Sequence, residues 1–202
     1  MRSRLRSCRG LRGAIVLAGA LLMTGCVTLT TPRYQPSVAN IELLESSASQ
    51  PVAVGKFQAS AGVPNQEMSV RGNGMRAGSA TGTFSGYLHD ALIKELKTAG
   101  LYVPKSSTQV QGELVRNEIN AGVGSDGGSA MISARFEVLR HGRQIYNKTL
   151  SAKQNWDSSF IGAIAIPTAV RNYPVVVQKL LAELFGDPAF MRAIAKPNAT
   201  TH

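Results

Sequence analysis

The pattern of apolar residues predicts an α+β fold: an antiparallel sheet of four to five strands with two main helices packed on one face, in β-α-β-β-β-α order. Strict apolar alternation over residues 130–138 is typical of a strand with one buried face. Apolar residues spaced three and four apart over 83–99, and again over 167–185, indicate two amphipathic helices. Helices on one side of an antiparallel sheet give a two-layer domain, which we place at residues 51–196.

The elements follow in order along this domain. The first strand is predicted at 51–57, and a polar, glycine-rich stretch over 59–82 is predicted as a loop, either functional or mobile. Its glycines lack the Lys-Ser/Thr pair that completes a phosphate-binding loop. The first helix has Thr81 or Thr83 as its N-cap and Gly100 as its stop. Its polar face is predicted to carry His89, Asp90, Lys94, Glu95 and Lys97.

A second strand is predicted at 109–119, and the alternating strand that follows turns at His141-Gly142 into its antiparallel partner. The second helix is predicted to start at about Pro167. Asp187-Pro188 has the N-cap and N1 residues of a last short helix. Residues 197–202 are expected to be a disordered tail.

The first 25 residues have the features of an export signal. Five arginines and no acidic residue precede an apolar run of ten residues, Ala14 to Met23. This run is followed by the small residues Thr24-Gly25, as in a secretory signal peptide. It is too short to span a bilayer, which takes roughly 20 apolar residues. One interpretation is an ordinary secretory signal that happens to end near a cysteine.

We favour a second interpretation, because Thr24-Gly25-Cys26 resembles the cleavage site of bacterial lipoproteins. That resemblance implies cleavage between Gly25 and Cys26, a diacylglycerol on the Cys26 thiol and acylation of the new N-terminus. Val27, where an Asp commonly marks inner-membrane retention, implies the outer membrane with the domain facing the periplasm. Residues 26–50, rich in Thr, Ser and Pro, are then predicted to form a lipidated N-terminus and flexible tether.

Charge and cysteine content restrict the chemistry of the mature chain. Of the 22 Lys and Arg, five precede residue 25, which leaves 17 against 12 Asp and Glu. This balance is compatible with an anionic partner such as lipid headgroups or peptidoglycan, whereas nothing indicates nucleic acid. The two cysteines are Cys8, in the signal, and Cys26, so we predict neither a disulfide nor a thiolate metal site.

No catalytic motif is recognisable. The three histidines are isolated, and His89 and Asp90, adjacent on a helix, are predicted not to face each other. HExxH, GxSxG and Cys/His clusters are lacking, so we predict a protein that is not an enzyme and has no metal or cofactor. The candidate partner surface is Arg71, Arg76, Phe160 and Ile161. For residues 160–166 a buried connection is favoured over a segment that contacts lipid or a partner helix.

The predicted helix Tyr87-Leu88-His89-Asp90-Ala91-Leu92-Ile93-Lys94-Glu95-Leu96, ending in Ala99-Gly100-Leu101-Tyr102, resembles the YajG-like lipoproteins when taken with the lipoprotein signal. This resemblance implies a small outer-membrane lipoprotein without catalytic residues. The strand–helix–strand opening also looks like the periplasmic domains of curli-secretion and lipopolysaccharide-assembly lipoproteins. We therefore expect a lipid-anchored binding or scaffolding protein, with an accessory subunit of an envelope transport, secretion or lipopolysaccharide-assembly machine as the alternative. The partner and the oligomeric state stay open.

Overall fold

The structure, a computed structural model, describes residues 28–46 and 49–195. Gly25, Cys26 and the predicted tail over 197–202 lie outside these ranges. Within them the chain forms seven strands and four α-helices, which confirms the α+β class. The strands are β1 (Leu29–Thr30), β2 (Ala53–Ala59), β3 (Met68–Val70), β4 (Asn73–Arg76), β5 (Thr108–Asn120), β6 (Gly128–Arg140) and β7 (Arg143–Trp156), and the helices are α1 (Val38–Glu45), α2 (Phe84–Thr98), α3 (Gly162–Phe185) and α4 (Pro188–Ile194).

The larger sheet has four strands in the order β2-β5-β6-β7. Strands β5, β6 and β7 are antiparallel neighbours, but β2 pairs with β5 in parallel. Two parallel strands must be joined by a long crossover connection, which is usually a helix. Helix α2 lies between β2 and β5 along the chain and provides this connection. The prediction of a single antiparallel sheet is therefore wrong: this sheet is mixed, and a second sheet exists.

The second sheet has three strands in the order β1-β4-β3. Strands β3 and β4 form a hairpin inside the stretch 59–82 that was predicted as a loop. Its turn is Arg71-Gly72, with φ of 49° and 78°. Two residues with positive φ match the type I′ turn that suits a tight hairpin, and glycine adopts such a φ at little cost. The apolar Met68, Val70 and Met75 are buried, which explains why a polar stretch still forms a sheet.

Residues 28–46, called here the N-terminal segment, are docked on the domain, which corrects the predicted tether over 26–50 for its described part. Strand β1 pairs with β4 in parallel, and α1 packs against α2 and α3. Burial of Tyr34 and Leu44 accounts for the docking, since these two large side chains are 2% and 0% exposed. Burial of apolar surface offsets the entropy lost when a polar segment becomes ordered.

The helix predictions agree with the structure except at one end. Helix α2 begins after Thr83, whose hydroxyl accepts a hydrogen bond from Gly86 N at 3.0 Å. The Asp187 carboxylate caps α4 by accepting from Ala189 N at 2.8 Å. Helix α3 starts five residues before the predicted Pro167, because Ile164 and Ala165 already donate backbone hydrogen bonds to Ile161 O. Thus most of the apolar segment 160–166 is the first turn of a helix.

The core lies between the four-stranded sheet and helices α2 and α3. Phe84 and Tyr87 of α2 contact Tyr173 of α3 with ring centroids 5.1 and 5.7 Å apart, and all three rings are buried. Among the helices that the structure describes, none is long and apolar enough to cross a membrane. Packing against the sheet fixes the positions of α2 and α3.

Candidate functional site

A cleft of about 590 Å³, called here the basic cleft, separates the N-terminal segment from α2. One wall is the chain from Thr30 to Tyr34, and the floor comes from residues 77–80, which follow β4. The lining residues are Thr30, Thr31, Arg33, Tyr34, Ala77, Gly78, Ser79, Ala80, Tyr87, Asp90, Ile93, Lys94 and Lys97. A volume of this size is within the range that accommodates a small molecule or a peptide side-chain cluster.

Hydrogen bonds between backbone and side chains hold the cleft open. Tyr87 Oη of α2 donates to Pro32 O at 2.8 Å, and Lys94 Nζ donates to Tyr34 O at 2.8 Å. From the floor, Gly78 N donates to Thr31 Oγ1 at 2.9 Å. Burial raises the pKa of Tyr87 above its ordinary value, which keeps the phenol protonated and able to donate. Both walls are thus fixed without filling the space between them.

The charge of the cleft is positive. Arg33, Lys94 and Lys97 line it, whereas Asp90 is the one carboxylate among the lining residues. Asp90 Oδ2 already accepts from Ala80 N at 3.2 Å, and Oδ1 lies 3.1 Å from His89 Nδ1. The latter contact corrects our prediction that His89 and Asp90 do not face each other. A surplus of two positive charges in a partly enclosed space favours an anionic group.

Directly behind the cleft lies Glu95, which was predicted on the polar face of α2 but is 0% exposed. Its Oε1 accepts from Tyr34 Oη at 2.5 Å, from Ser37 N at 3.0 Å and from Asn40 Nδ2 at 3.0 Å. All three donors belong to the N-terminal segment. Burial, together with the hydrogen bond to Glu95 and its charge, raises the pKa of Tyr34 above its ordinary value. Glu95 therefore fixes the wall of the cleft to α2.

Arg71, predicted as part of a partner surface, is occupied by contacts within the protein. Its guanidinium donates to Gly122 O at 2.9 Å, to Ser159 O at 2.7 Å and to Phe160 O at 3.3 Å. Charge-assisted hydrogen bonds to backbone carbonyls are stronger than neutral ones. Arg71 thereby ties the β3–β4 turn to two loops that are distant in sequence, and its role is structural.

Arg76 lies apart from the other three predicted residues. It is at the far end of β4, opposite Thr30 of β1, with its side chain 61% exposed and 3.3 Å from Glu67. An exposed ion pair of this kind contributes little stability. Of the four predicted residues, the fold brings together Arg71, Phe160 and Ile161 only.

Beside Arg71 lies a group of exposed apolar side chains, called here the apolar end: Val123, Phe160, Ile161 and Ile164. They are 51%, 78%, 59% and 53% exposed. The favoured interpretation of 160–166 as a buried connection is therefore wrong for Phe160, Ile161 and Ile164, although Ala165 is buried. The Phe160 ring lies against Gly124, where an added Cβ would come within 2.2 Å of the ring. The ring thus packs edgewise on a glycine while the rest of it faces outward.

Among residues 28–46 and 49–195, no three His, Cys, Asp or Glu side chains are grouped as a metal ion would require. Sequence reasoning missed the basic cleft and the Glu95 contacts. A partial signal existed, because Asp90, Lys94 and Lys97 follow at helical spacing on one face of α2. Arg33 and Tyr34 could not be added from the sequence, since only the docking of the N-terminal segment brings them to that face.

Comparisons with known proteins show the fold alone. No family model matches the chain, and no curated protein matches it. Protein XCC0632 from Xanthomonas campestris, described as a DUF330 protein, is similar with a TM-score of 0.57 and 17% identity, over 82% of this chain and 96% of that one. The hypothetical protein CT253 from Chlamydia trachomatis gives a TM-score of 0.40 at 13% identity, over 69% and 97%. Neither is described as YajG-like, so that resemblance stays a prediction.

Proposed function

We propose that this chain is a lipid-anchored periplasmic lipoprotein of the bacterial outer membrane, which binds or scaffolds an envelope partner and is not an enzyme. The supporting observation is that the signal ending in Thr24-Gly25-Cys26 is followed, three residues later, by the docked strand β1. An anchor at Cys26 would therefore hold a folded domain directly. Triacylation supplies more than the two signals that stable anchoring needs.

The basic cleft is the proposed binding site. Its partly fixed walls, its apolar lining and its surplus of cations suit an acidic group on a partner, such as a carboxylate or a phosphate. Its floor is formed by residues 77–80. These residues belong to the stretch 59–82, which was predicted as a loop that is either functional or mobile. Arg33 and Lys97, both exposed, are the residues we assign to binding this group.

A second candidate is an accessory subunit of an envelope transport, secretion or lipopolysaccharide-assembly machine. The apolar end favours it, because exposed apolar patches mark sites that contact proteins or membranes. In that case the partners would be the components of one machine in fixed proportion.

The anchor is tested by the Cys26→Ala variant. We expect the native chain to fractionate with the outer membrane, to begin at Cys26 and to carry the mass of three acyl chains and glycerol. The variant should lose that mass and appear in a soluble fraction. A variant that still fractionates with the outer membrane would refute lipid anchoring.

The basic cleft is tested by photo-crosslinking from native membranes, with the crosslinker at Ile93 in the cleft and at Lys179 on α3 as control. We expect a partner to be captured at Ile93, and capture to fall severalfold with Arg33→Glu and Lys97→Glu but not with Lys179→Glu. Equal capture at both positions would contradict the assignment. Stoichiometric capture of transport or secretion components would favour the second candidate.

A further inference from the structure

The side chains of the apolar end form one continuous surface, and most of them come from a stretch of chain without charged residues. From Ser158 to Val170 the sequence contains no charged residue. Phe160, Ile161 and Ile164 are each more than half exposed at the start of α3, and Val123 lies on the adjacent loop. Four large apolar side chains at one place are unusual on a soluble surface, where single exposed residues need no explanation.

The chain approaches the domain from the same side. Strand β1 runs parallel to β4, with Leu29 opposite Met75 and Thr30 opposite Arg76. The described chain therefore enters β1 at the end of β4 that begins at Asn73, which is the end of the Arg71-Gly72 turn. The Arg71 guanidinium, from that turn, donates to Ser159 O and Phe160 O. The N-terminus of the described chain and the apolar end thus lie on one side of the molecule.

The distance from the predicted anchor to this side is short. Cys26 precedes Leu29 by three residues, and a chain extends by at most about 3.6 Å per residue, so Cys26 is within roughly 11 Å of Leu29. A domain held this closely cannot stand clear of the bilayer. Acyl chains on Cys26 would bring the bilayer surface to the side of the domain that carries the apolar end.

We propose that the apolar end lies in the bilayer, at the boundary between headgroups and acyl chains, so that the protein contacts the membrane through Phe160, Ile161, Ile164 and Val123 in addition to its lipid. This inference rests on the proposed lipidation of Cys26. The occupant is lipid because the anchor fixes this side of the domain to the membrane, where burying apolar side chains by about 5–10 Å is favourable.

The charges near the apolar end indicate which lipids it contacts. Arg71 already donates to three carbonyls, and Asp157 lines the same shallow hollow as Phe160. Asp126 is exposed on the loop beside Gly124. Lys153 lines an adjacent hollow together with Asp126 and Asp157. Because the described cations here, Arg71 and Lys153, are balanced by these two carboxylates, anionic lipid should add nothing to the contact. Burial of apolar surface is the driving force, and zwitterionic lipid is sufficient.

The test places a single tryptophan at the apolar end of the lipidated protein. Trp156→Phe removes the one native tryptophan, and Phe160→Trp or Val38→Trp then adds a reporter. Val38 is a matched control, since it is 72% exposed on α1. Asn40, in the same turn of α1 as Val38, donates to Gln178 O, and Gln178 lies about 25 Å along α3 from Ile161. Each protein is reconstituted in phosphatidylcholine vesicles whose acyl chains carry bromine, a quencher of indole fluorescence.

We expect the Phe160→Trp reporter to be quenched severalfold more strongly than the Val38→Trp reporter, and the difference to be unchanged when phosphatidylglycerol is added. Equal quenching of both reporters, or of neither, would overturn the inference. So would a stable dimer or a protein partner that buries the Phe160→Trp reporter without quenching by bromine. Intact mass separates the two proposals: with lipid on Cys26 and no quenching only this inference fails, whereas without lipid the anchor also fails.

Discussion

Glu95 and Arg71 each hydrogen-bond to three residues that are distant from them in sequence, but in opposite surroundings. Glu95 is fully buried and receives all its hydrogen bonds from the N-terminal segment, near Gln178 of α3. Arg71 is half-buried and donates to carbonyls beside the exposed Phe160. Exclusion of water strengthens hydrogen bonds and raises the cost of losing one partner. Equal numbers of contacts should therefore stabilise the two regions very unequally.

The two regions also differ in what they are suited to do: the region of Glu95 maintains the fold, whereas the region of Arg71 presents a surface for binding. Around Glu95 the apolar side chains are buried, so that region keeps the N-terminal segment in place and shapes the basic cleft. Around Arg71 large apolar side chains are left exposed, although the backbone beneath them is held firmly. A surface that is held in shape but not covered is suited to an external partner.

The largest effect is expected for Glu95→Ala, which leaves Tyr34 Oη and Ser37 N without their acceptor and leaves Asn40 Nδ2 with Gln178 O alone. Each buried donor left without a partner costs about 1–3 kcal/mol, so we expect a loss of roughly 3–5 kcal/mol in the free energy of unfolding. Chemical denaturation would measure it, with the exposed Glu183→Ala on α3 as the control that changes little. A loss below about 1 kcal/mol would show that Glu95 is not the main attachment of the segment.

A smaller loss is expected for Tyr34→Phe, which keeps the buried ring but removes its 2.5 Å hydrogen bond to Glu95. The expected cost is about 1.5–3 kcal/mol, the range for a hydrogen bond to a charged group. In a double-mutant cycle with Glu95→Gln, the two changes should be strongly non-additive, because they affect one contact. Simple additivity would contradict the hydrogen bond.

Arg71→Met should cost less, about 1 kcal/mol, because water can replace the guanidinium at partly exposed carbonyls. Its local effect should be larger than its global one. We expect backbone amides near Phe160 and Gly122 to exchange hydrogen faster, while those of α2 are unchanged. The exposed Arg76→Met is the control. Equal hydrogen exchange of these amides in both variants would contradict a structural role for Arg71.

The smallest effect on the free energy of unfolding is expected for Asp187→Asn, at the N-cap of α4. Burial acts to raise the pKa of Asp187, but hydrogen bonds from Lys148, from Ala189 N and from Tyr146 outweigh it and hold that pKa below its ordinary value. A lowered pKa stabilises the fold above the ordinary value, about 3.9, and this contribution is lost as pH falls through the folded pKa. Unfolding measured from pH 6 to acid should show this loss in the native chain and less of it in Asp187→Asn. Identical profiles would count against the contribution of Asp187.

What could be predicted from the sequence was local. The hairpin at His141-Gly142 and the extent of α2 follow from periodicity and turn residues within a few positions. The parallel pairing of β2 with β5 depends on the crossover between them, which no short window contains. The β3–β4 hairpin was also not predicted, because residues 59–82 are mostly polar. Only three or four apolar residues are needed to bury one face of such a hairpin.

Glu95 shows most directly why the site could not be predicted. It borders the apolar stripe of α2, next to Leu96 and three residues after Leu92, and its charge assigned it to the polar face. What buries it is the N-terminal segment, some 55–61 residues earlier in the chain. The apolar end was half predicted: Phe160 and Ile161 were named, but their exposure was decided by where α3 begins.

Both proposals require that the chain after Cys26 is part of the domain and not a tether. Hydrogen exchange of the mature protein tests this at the amides of Thr31, which donates to Arg76 O, of Ser37, which donates to Glu95, and of Ile41, which donates to Ser37 O. We predict protection at these positions well above that of an unstructured peptide and lost together in Glu95→Ala. Exchange of all three at the rate of a free chain, with α2 still protected, would contradict the docked segment, the basic cleft it forms and the close approach of the domain to the membrane.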